Sequence, residues 1–475
     1  MPWLNWGRRS AVLSWFVIPI ALLEAGPLRA EETALDRYVA KPDTTYAWQV
    51  VRTVPGPGLT QYIVDLKSQT WRTKEDVDRP VWQHWLSIVK PAKPASRIAF
   101  LRITGGANGG EPPQSAEPAT LKLAEATGSV VAELKMVPNQ PLVLNHDGVP
   151  RKEDDFIAYT WDQFLKTGDE TWPARLPMVK SAVRAMDCVQ ELLASDRGGR
   201  LAIEKFVVSG GSKRGWTTWC TAAVDRRVAA AIPIVIDVVN VPACSRHHVA
   251  AYGFYAEAVG DYVRHNIKGR ADDPKIKLLY AIEDPYSYRE RLTMPKFVVN
   301  AAGDQYFPPD SSQFYFGDLP GEKYLRYVPN ADHSLRDSDA LESIIAFYQT
   351  ILEGSPRPRY SWTFEADGSI RVRTADAPRA VRLWQATNPG ARDFRVKTIG
   401  KAYKSLTLVR EGGVYVGKID PPKKGWTAFF VELTFDVNRS FPLKLTRGVR
   451  VLPDTLPYAG LDPAKAPLEA RPSSK

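Results

Sequence analysis

The stretch KFVVSGGSKRGWTTW, Lys205 to Trp219, runs from apolar residues into two glycines, a serine, two cations, a third glycine and a tryptophan. A serine on a sharp strand-to-helix turn needs small neighbours, because its backbone is strained and closely packed. Gly210 and Gly215 supply that space around Ser212, in the spacing G-x-S-x-x-G. Such a hydroxyl becomes a nucleophile when a histidine takes its proton and a carboxylate orients that histidine. The acid is sought after a later strand, and PKFVVNAAGDQYFPPDSS places Asp304 there. His333, in PNADHS after the next strand, is the only one of six histidines that follows Asp304. The chain order serine, acid, histidine therefore selects it. Asp237, closing the strand after the serine's helix, is a rival for the acid.

An attacked carbonyl needs donors for its developing negative charge. The N–H of Lys213, at the positive end of its helix, supplies one. Gly105 and Gly106, in the glycine-rich loop that follows RIAFLRIT, supply the second. No Gly-Lys-Ser/Thr follows that loop, so a phosphate-binding P-loop is excluded. Lys213 and Arg214 have two readings: they face an acidic substrate group or assist the oxyanion, or they point to solvent or pair with nearby carboxylates. Trp216 is a candidate substrate platform, although it and Trp219 read better as core. Glu257 and Asp261, a helical turn apart, could hold a free amino group or could be a solvated face.

These groups need a scaffold. RIAFLRITGG, GSVVAELKMV, KFVVSGG, VAAAIPIVID, PKFVVNAAGD and KYLRYVPN are short apolar runs alternating with helical patterns such as MVKSAVRAMDCVQELLAS. That texture predicts an α/β fold, a mostly parallel sheet covered on both faces by helices. The domain spans residues 31–354, with a helical insertion over about 238–293 of the kind that caps a site. Three β segments, from Ala47 to Val89, stand at its start. After Pro358 the sequence is all β, predicting a small sandwich-like domain over 355–455. It holds no histidine and no cysteine, so it lacks the groups that titrate near neutrality. Residues 456–475, rich in proline and alanine, read as a flexible tail.

Composition narrows the classes. Of 475 residues, 44% are hydrophobic and 11% aromatic, enough for a large core. The net charge of +10 is spread among interspersed acidic residues without long basic blocks, so nucleic acid is not an expected partner. Arg8-Arg9, the apolar run Ala11 to Leu23 and Leu28-Arg29-Ala30 read as an export signal over residues 1–30, shorter than a membrane span. Cys188, Cys220 and Cys244 leave two options, a Cys220–Cys244 disulfide or buried free thiols. No metal-binding spacing occurs, and neither metal nor cofactor is expected.

The blocks AIEDPYSYRERLTMPKFVVNAAGD, YLRYVPNADHSLRDSD, GGSKRGWTTWCTAAVDRRVAAAIPIVIDVVN and VPNQPLVLNHDGVPRKEDDFIAYTWDQFLKTG closely resemble the PhoPQ-activated pathogenicity-related family of exported proteins. The resemblance extends over roughly residues 35 to 450. It implies an α/β-hydrolase fold, a Ser-Asp-His triad at Ser212, Asp304 and His333, and a link with bacterial envelope stress and virulence regulation. It brings no settled substrate. The expectation is an exported serine hydrolase of esterase or peptidase type, acting on a small-molecule, carbohydrate-ester or peptide substrate. The rivals are a dipeptidyl-peptidase-like aminopeptidase and a secreted binding or signalling protein on the same scaffold.

Overall fold

A computed structural model describes residues 1–3, 32–437 and 441–470. The export signal expected over 1–30 lies outside the described residues, save its first three. The described chain opens with helix α1 (Ala34–Ala40) and three strands, β1 (Ala47–Gly56), β2 (Leu59–Thr70) and β3 (Val81–Pro91). The alternating region follows as β4 (Ile98–Ile103), α2 (Pro118–Thr127), β5 (Val131–Leu134), a ribbon of β6 (Leu142–Val143) and β7 (Pro150–Arg151), α3 (Glu153–Thr167) and α4 (Arg175–Ala194). Then come β8 (Lys205–Gly211), α5 (Lys213–Val224) and β9 (Val228–Ile234). The inserted helices α6 (Val241–Tyr252), α7 (Gly260–Arg264) and α8 (Pro274–Glu283) precede β10 (Lys296–Ala301), β11 (Lys323–Val328) and α9 (Ala340–Glu353). The C-terminal part comprises β12 (Tyr360–Phe364), β13 (Ile370–Thr374), β14 (Ala380–Asn388), α10 (Val396–Ile399), β15 (Lys404–Thr407), β16 (Tyr415–Gly417), β17 (Trp426–Phe435), β18 (Leu443–Thr446) and β19 (Arg450–Leu452).

One sheet organises the molecule, in the order β1-β2-β3-β5-β4-β8-β9-β10-β11-β18-β17-β14-β15. Its centre, β5-β4-β8-β9-β10-β11, is parallel, and the flanks are antiparallel. The apolar runs fit this centre because successive side chains leave a strand on opposite faces. Phe206 and Val208 of β8 join the core under α4 and α5, whereas Val207 joins the core under α2 and α9. In β4, Ala99, Leu101 and Ile103 take the first face and Phe100 the second. Both faces of this centre are buried, so its strands are largely apolar on both sides.

The all-β texture after residue 355 is present and has sandwich form. β12, β13 and β16 make a three-stranded sheet, whose Ile370 and Val372 pack with Val381 and Leu383 of β14 and Val431 of β17. The second layer of that sandwich is the central sheet itself, continued where β18 pairs with β11 at Leu325 and Thr446. Among the described residues, no helix is long and apolar enough to cross a membrane.

The tail expected to be loose over 456–475 is corrected for residues 456–470. Tyr255 N–H donates to Pro467 O (2.8 Å), Glu469 N–H donates to Tyr255 O (2.8 Å), and Tyr458 N–H donates to Ala250 O (3.0 Å). Glu469 also pairs with Arg395 and Lys397. Backbone pairing and two cations hold a segment that composition alone makes look unstructured.

Candidate active site

The parallel strands β8, β9, β10 and β11 are neighbours, and Ser212, Asp304 and His333 follow the carboxyl ends of β8, β10 and β11. Loops at those ends are where open α/β sheets place their ligands. Ser212 has φ 56° and ψ −123°, a conformation that non-glycine residues avoid. The turn is tight. A Cβ at Gly210 would lie 2.7 Å from Arg214 O, and one at Gly215 would lie 2.8 Å from Ile234 O. The two glycines are therefore required by the close approach of backbone to backbone, as the sequence spacing predicted.

Asp304 is buried and His333 largely so. The imidazole Nδ1–H donates to Asp304 Oδ2 at 2.8 Å, and the other carboxylate oxygen accepts Tyr306 N–H at 2.8 Å. This pairing leaves Nε2 as the ring's lone-pair nitrogen, and Nε2 is buried without a hydrogen-bond partner among the described residues. Tyr306 packs against the imidazole, with ring centroids 4.3 Å apart, and lines the same cavity as Ser212. Asp237, the rival acid, has other partners: Tyr315 donates to Oδ1 at 2.7 Å and Tyr327 to Oδ2. Burial pushes the Asp237 carboxyl up to about 7 against the pull of those hydroxyls.

The C-terminal part braces both loops. Val396 N–H donates to Gly303 O (2.9 Å), and a Cβ on Gly303 would lie 2.5 Å from Val396 Cγ2. Asn330, at φ 57°, donates to Tyr403 O (2.9 Å) and accepts Tyr403 N–H (2.8 Å). The acid turn and the histidine loop are thus fixed by one segment, residues 396–403.

Lys213 begins α5, so its N–H is among those a helix leaves without an internal acceptor. The loop of Gly105 and Gly106 packs beside it: a Cβ on Gly105 would lie 2.6 Å from Arg214 Nη2, and Gly106 has φ +145°. The side chains of Lys213 and Arg214 follow the pairing reading. Lys213 Nζ lies 2.7 Å from Asp154 and 3.2 Å from Glu153. Arg214 is bidentate to Glu153, at 2.6 and 2.8 Å, and also donates to Val137 O. Although burial opposes it, Arg214 and Lys213 hold the Glu153 carboxyl down at about 2. Arg214 as a substrate ligand is accordingly corrected: its guanidinium clamps the glycine loop to α3.

Trp216 is buried and lines the cavity, its indole donating to Glu283 O. Glu257 does not line the cavity; it sits 3.6 Å from Arg264, which also takes Asp261. Both acids are therefore met by Arg264, and Glu257 as a substrate ligand is corrected. Cys188, Cys220 and Cys244 are buried free thiols, so the Cys220–Cys244 disulfide is not formed. Among the described residues, no group of three or more histidine, cysteine or acidic side chains could hold a metal ion.

The cavity, about 70 Å³, extends from Ser212 beneath the insertion. Tyr255, Tyr262, Tyr306 and Phe307 form much of its wall, with His248 and Lys268. Sequence reading missed all of these. His248 accepts Ala256 N–H (3.0 Å), and burial pushes it down to about 3, so it stays neutral. Only the adjacency of the insertion to β9 could have signalled its place over the site.

The strand order and the placing of these loops are those of an α/β-hydrolase fold. The chain belongs to the PhoPQ-activated pathogenicity-related protein family, whose sequence profile matches residues 35–395. It is 37% identical over 458 residues to autocrine proliferation repressor protein A of Dictyostelium discoideum, covering 90% of this chain and 92% of that one. Among solved structures, acetyl xylan esterase 1 from Thermoanaerobacterium sp. is 13% identical, with 67% of this chain and 92% of that chain covered and a TM-score of 0.44. Glucuronoyl esterase from Solibacter usitatus is 14% identical, with 67% and 91% covered and a TM-score of 0.39.

Proposed function

We propose that the protein is a serine hydrolase that cleaves an ester or amide through an acyl-enzyme. The supporting observation is the Asp304–His333 pair, its Nε2 buried and without a partner among the described residues, with Tyr306 linking the imidazole to the cavity that a strained Ser212 also lines. His333 Nε2 takes the Ser212 proton as Oγ bonds to the carbonyl carbon. The bond to the leaving alcohol or amine then breaks, and the imidazolium returns the proton to it. Water repeats the sequence on the acyl-enzyme, releasing the acid and regenerating the serine. Asp304 fixes the imidazole tautomer and stabilises the cation. The N–H groups of Lys213 and of Gly105 or Gly106 receive the oxyanion. A fluorophosphonate probe tests this: it should label the native protein at Ser212, and no labelling of folded protein would refute the reading.

The N-terminal sequence supports export as the setting, which mass spectrometry of the mature N-terminus checks; an uncut Met1 in exported material would refute signal cleavage. A second reading, a secreted signal without turnover, is favoured by the 37% identity to the proliferation repressor. Turnover by the wild-type protein together with loss in Ser212→Ala decides against it.

A further inference from the structure

The cavity beneath the insertion has an uneven charge balance. Five ionisable groups that carry formal charge stand in its wall: Lys213, Asp154, Asp237, Arg175 and Lys268. Lys213 and Asp154 neutralise each other at 2.7 Å. Asp237 is held by two tyrosine hydroxyls, and its burial favours the neutral acid. Arg175, 1% exposed, lies over the Trp216 ring at 4.6 Å, and its Nε is 3.9 Å from Glu283. Its Nε and Nη2 donate to no described acceptor.

Lys268 is the more telling cation. Its Nζ donates to Ser245 Oγ at 2.7 Å and lies 5.5 Å from the Tyr255 ring centroid. Among the described residues it makes no ion pair with a carboxylate. Its neighbours Cys244 and His248 are uncharged, since burial pushes the Cys244 thiol up and the His248 imidazolium down. An ammonium with one hydroxyl and one ring face for company has lost hydration without gaining a counter-ion. A carboxylate arriving in the cavity would supply the counter-ion and accept a charged hydrogen bond in place of water. The surrounding tyrosines and Phe307 exclude water and would strengthen such a pair.

We propose that this cavity binds a carboxylate carried by the substrate, paired with Lys268, while the scissile carbonyl lies at Ser212. The inference rests on the hydrolase reading for its orientation, and it deepens that reading by naming the substrate class: esters or amides whose acyl part bears a free acid group. Specificity then comes from the insertion, which delivers Lys268, and catalysis from the sheet.

Two measurements test it. The first compares kcat/KM for umbelliferyl half-esters of succinic, glutaric and adipic acid with the butyrate, pentanoate and hexanoate esters of matching length. The wild type is expected to prefer at least one acidic member by about tenfold or more, the scale of a single charged hydrogen bond. Lys268→Met should bring that ratio close to one, and Lys268→Arg should restore part of it. The second measures binding of free glutarate by calorimetry, expected for the wild type and lost in Lys268→Met. Turnover of the neutral esters with no acidic preference and no glutarate binding would overturn the carboxylate site alone. Lys268-dependent glutarate binding without any turnover or serine labelling would support the site and sink the hydrolase reading. A preference that survives Lys268→Met would overturn the role given to Lys268.

Discussion

The parallel centre of the sheet and the antiparallel C-terminal region joined to it do different work. The centre ends in loops that carry a nucleophile candidate, an acid and a histidine. The C-terminal region, β12 to β19, carries neither histidine nor cysteine. What it contributes is position, through Val396 on the Gly303 turn and Tyr403 on the Asn330 loop. Burial of reactive groups is thus separated from the bracing that keeps them aligned. Loops on a rigid sheet still need a second surface to fix them, and here a distant part of the chain supplies it.

The largest expected effects fall on the centre. Ser212→Ala should abolish covalent labelling and lower turnover by roughly 10⁴ to 10⁶, the range for losing a member of such a unit. Asp304→Asn should cost about 10⁴ by removing the acceptor that sets the tautomer. A far milder result for Asp304→Asn than for Asp237→Asn would reverse the choice of acid.

The next effect probes the brace. Asn330→Gly keeps the positive φ available but removes both hydrogen bonds to Tyr403. It is expected to lower kcat by about ten- to a hundredfold with a smaller change in KM, because the histidine loop loses alignment. Unchanged kcat would show that the C-terminal region is only a cover. On stability, Arg392→Ala should be the clearest of these variants. Arg392 lies 2.6 Å from buried Asp310, which also holds His247 at 2.8 Å. Burial would raise the Asp310 carboxyl, but His247 and Arg392 keep it well below the usual range. Breaking a buried pair on one side costs about 3–5 kcal/mol, readable in a urea unfolding curve.

The smallest expected effect is on the pH dependence of stability. Asp237 ionises at about 7 in the folded protein but near 3.8, its ordinary value, once unfolded. Between those values the folded state holds the extra proton, so this group's contribution to stability is full below about 3.8 and declines as pH rises towards 7. Asp237→Asn removes that decline and should make the variant gain on the wild type across that window. Its turnover should fall far less than that of Asp304→Asn. Thermal unfolding at several pH values, with parallel rate measurements, checks both.

The legibility of this molecule follows the range of the forces involved. Ser212 between Gly210 and Gly215 could be read because the strain and crowding of the turn act over four or five consecutive residues. The strands could be read because two-sided burial forces apolar runs, and the order serine, acid, histidine follows from the order of strands. The family was legible in whole blocks of sequence. The sandwich was legible as texture, but its sharing of a layer with the central sheet was not, since the Leu325–Thr446 pairing joins segments more than a hundred residues apart.

Side-chain partners were decided only by the tertiary structure. Lys213 and Arg214 read equally well as substrate ligands until Glu153 and Asp154, some sixty residues earlier, closed on them. Glu257 was met by Arg264, and the tail that looked loose was tied down by Tyr255 and Arg395. Lys268 gave no signal in its own neighbourhood, for a lysine in a polar insertion is ordinarily solvated. The sequence by itself determined the backbone that holds the reactive groups, because sterics and periodic burial are local. Only the fold decided which charges are neutralised and which remain open, because pairing and desolvation depend on what arrives from elsewhere in the chain.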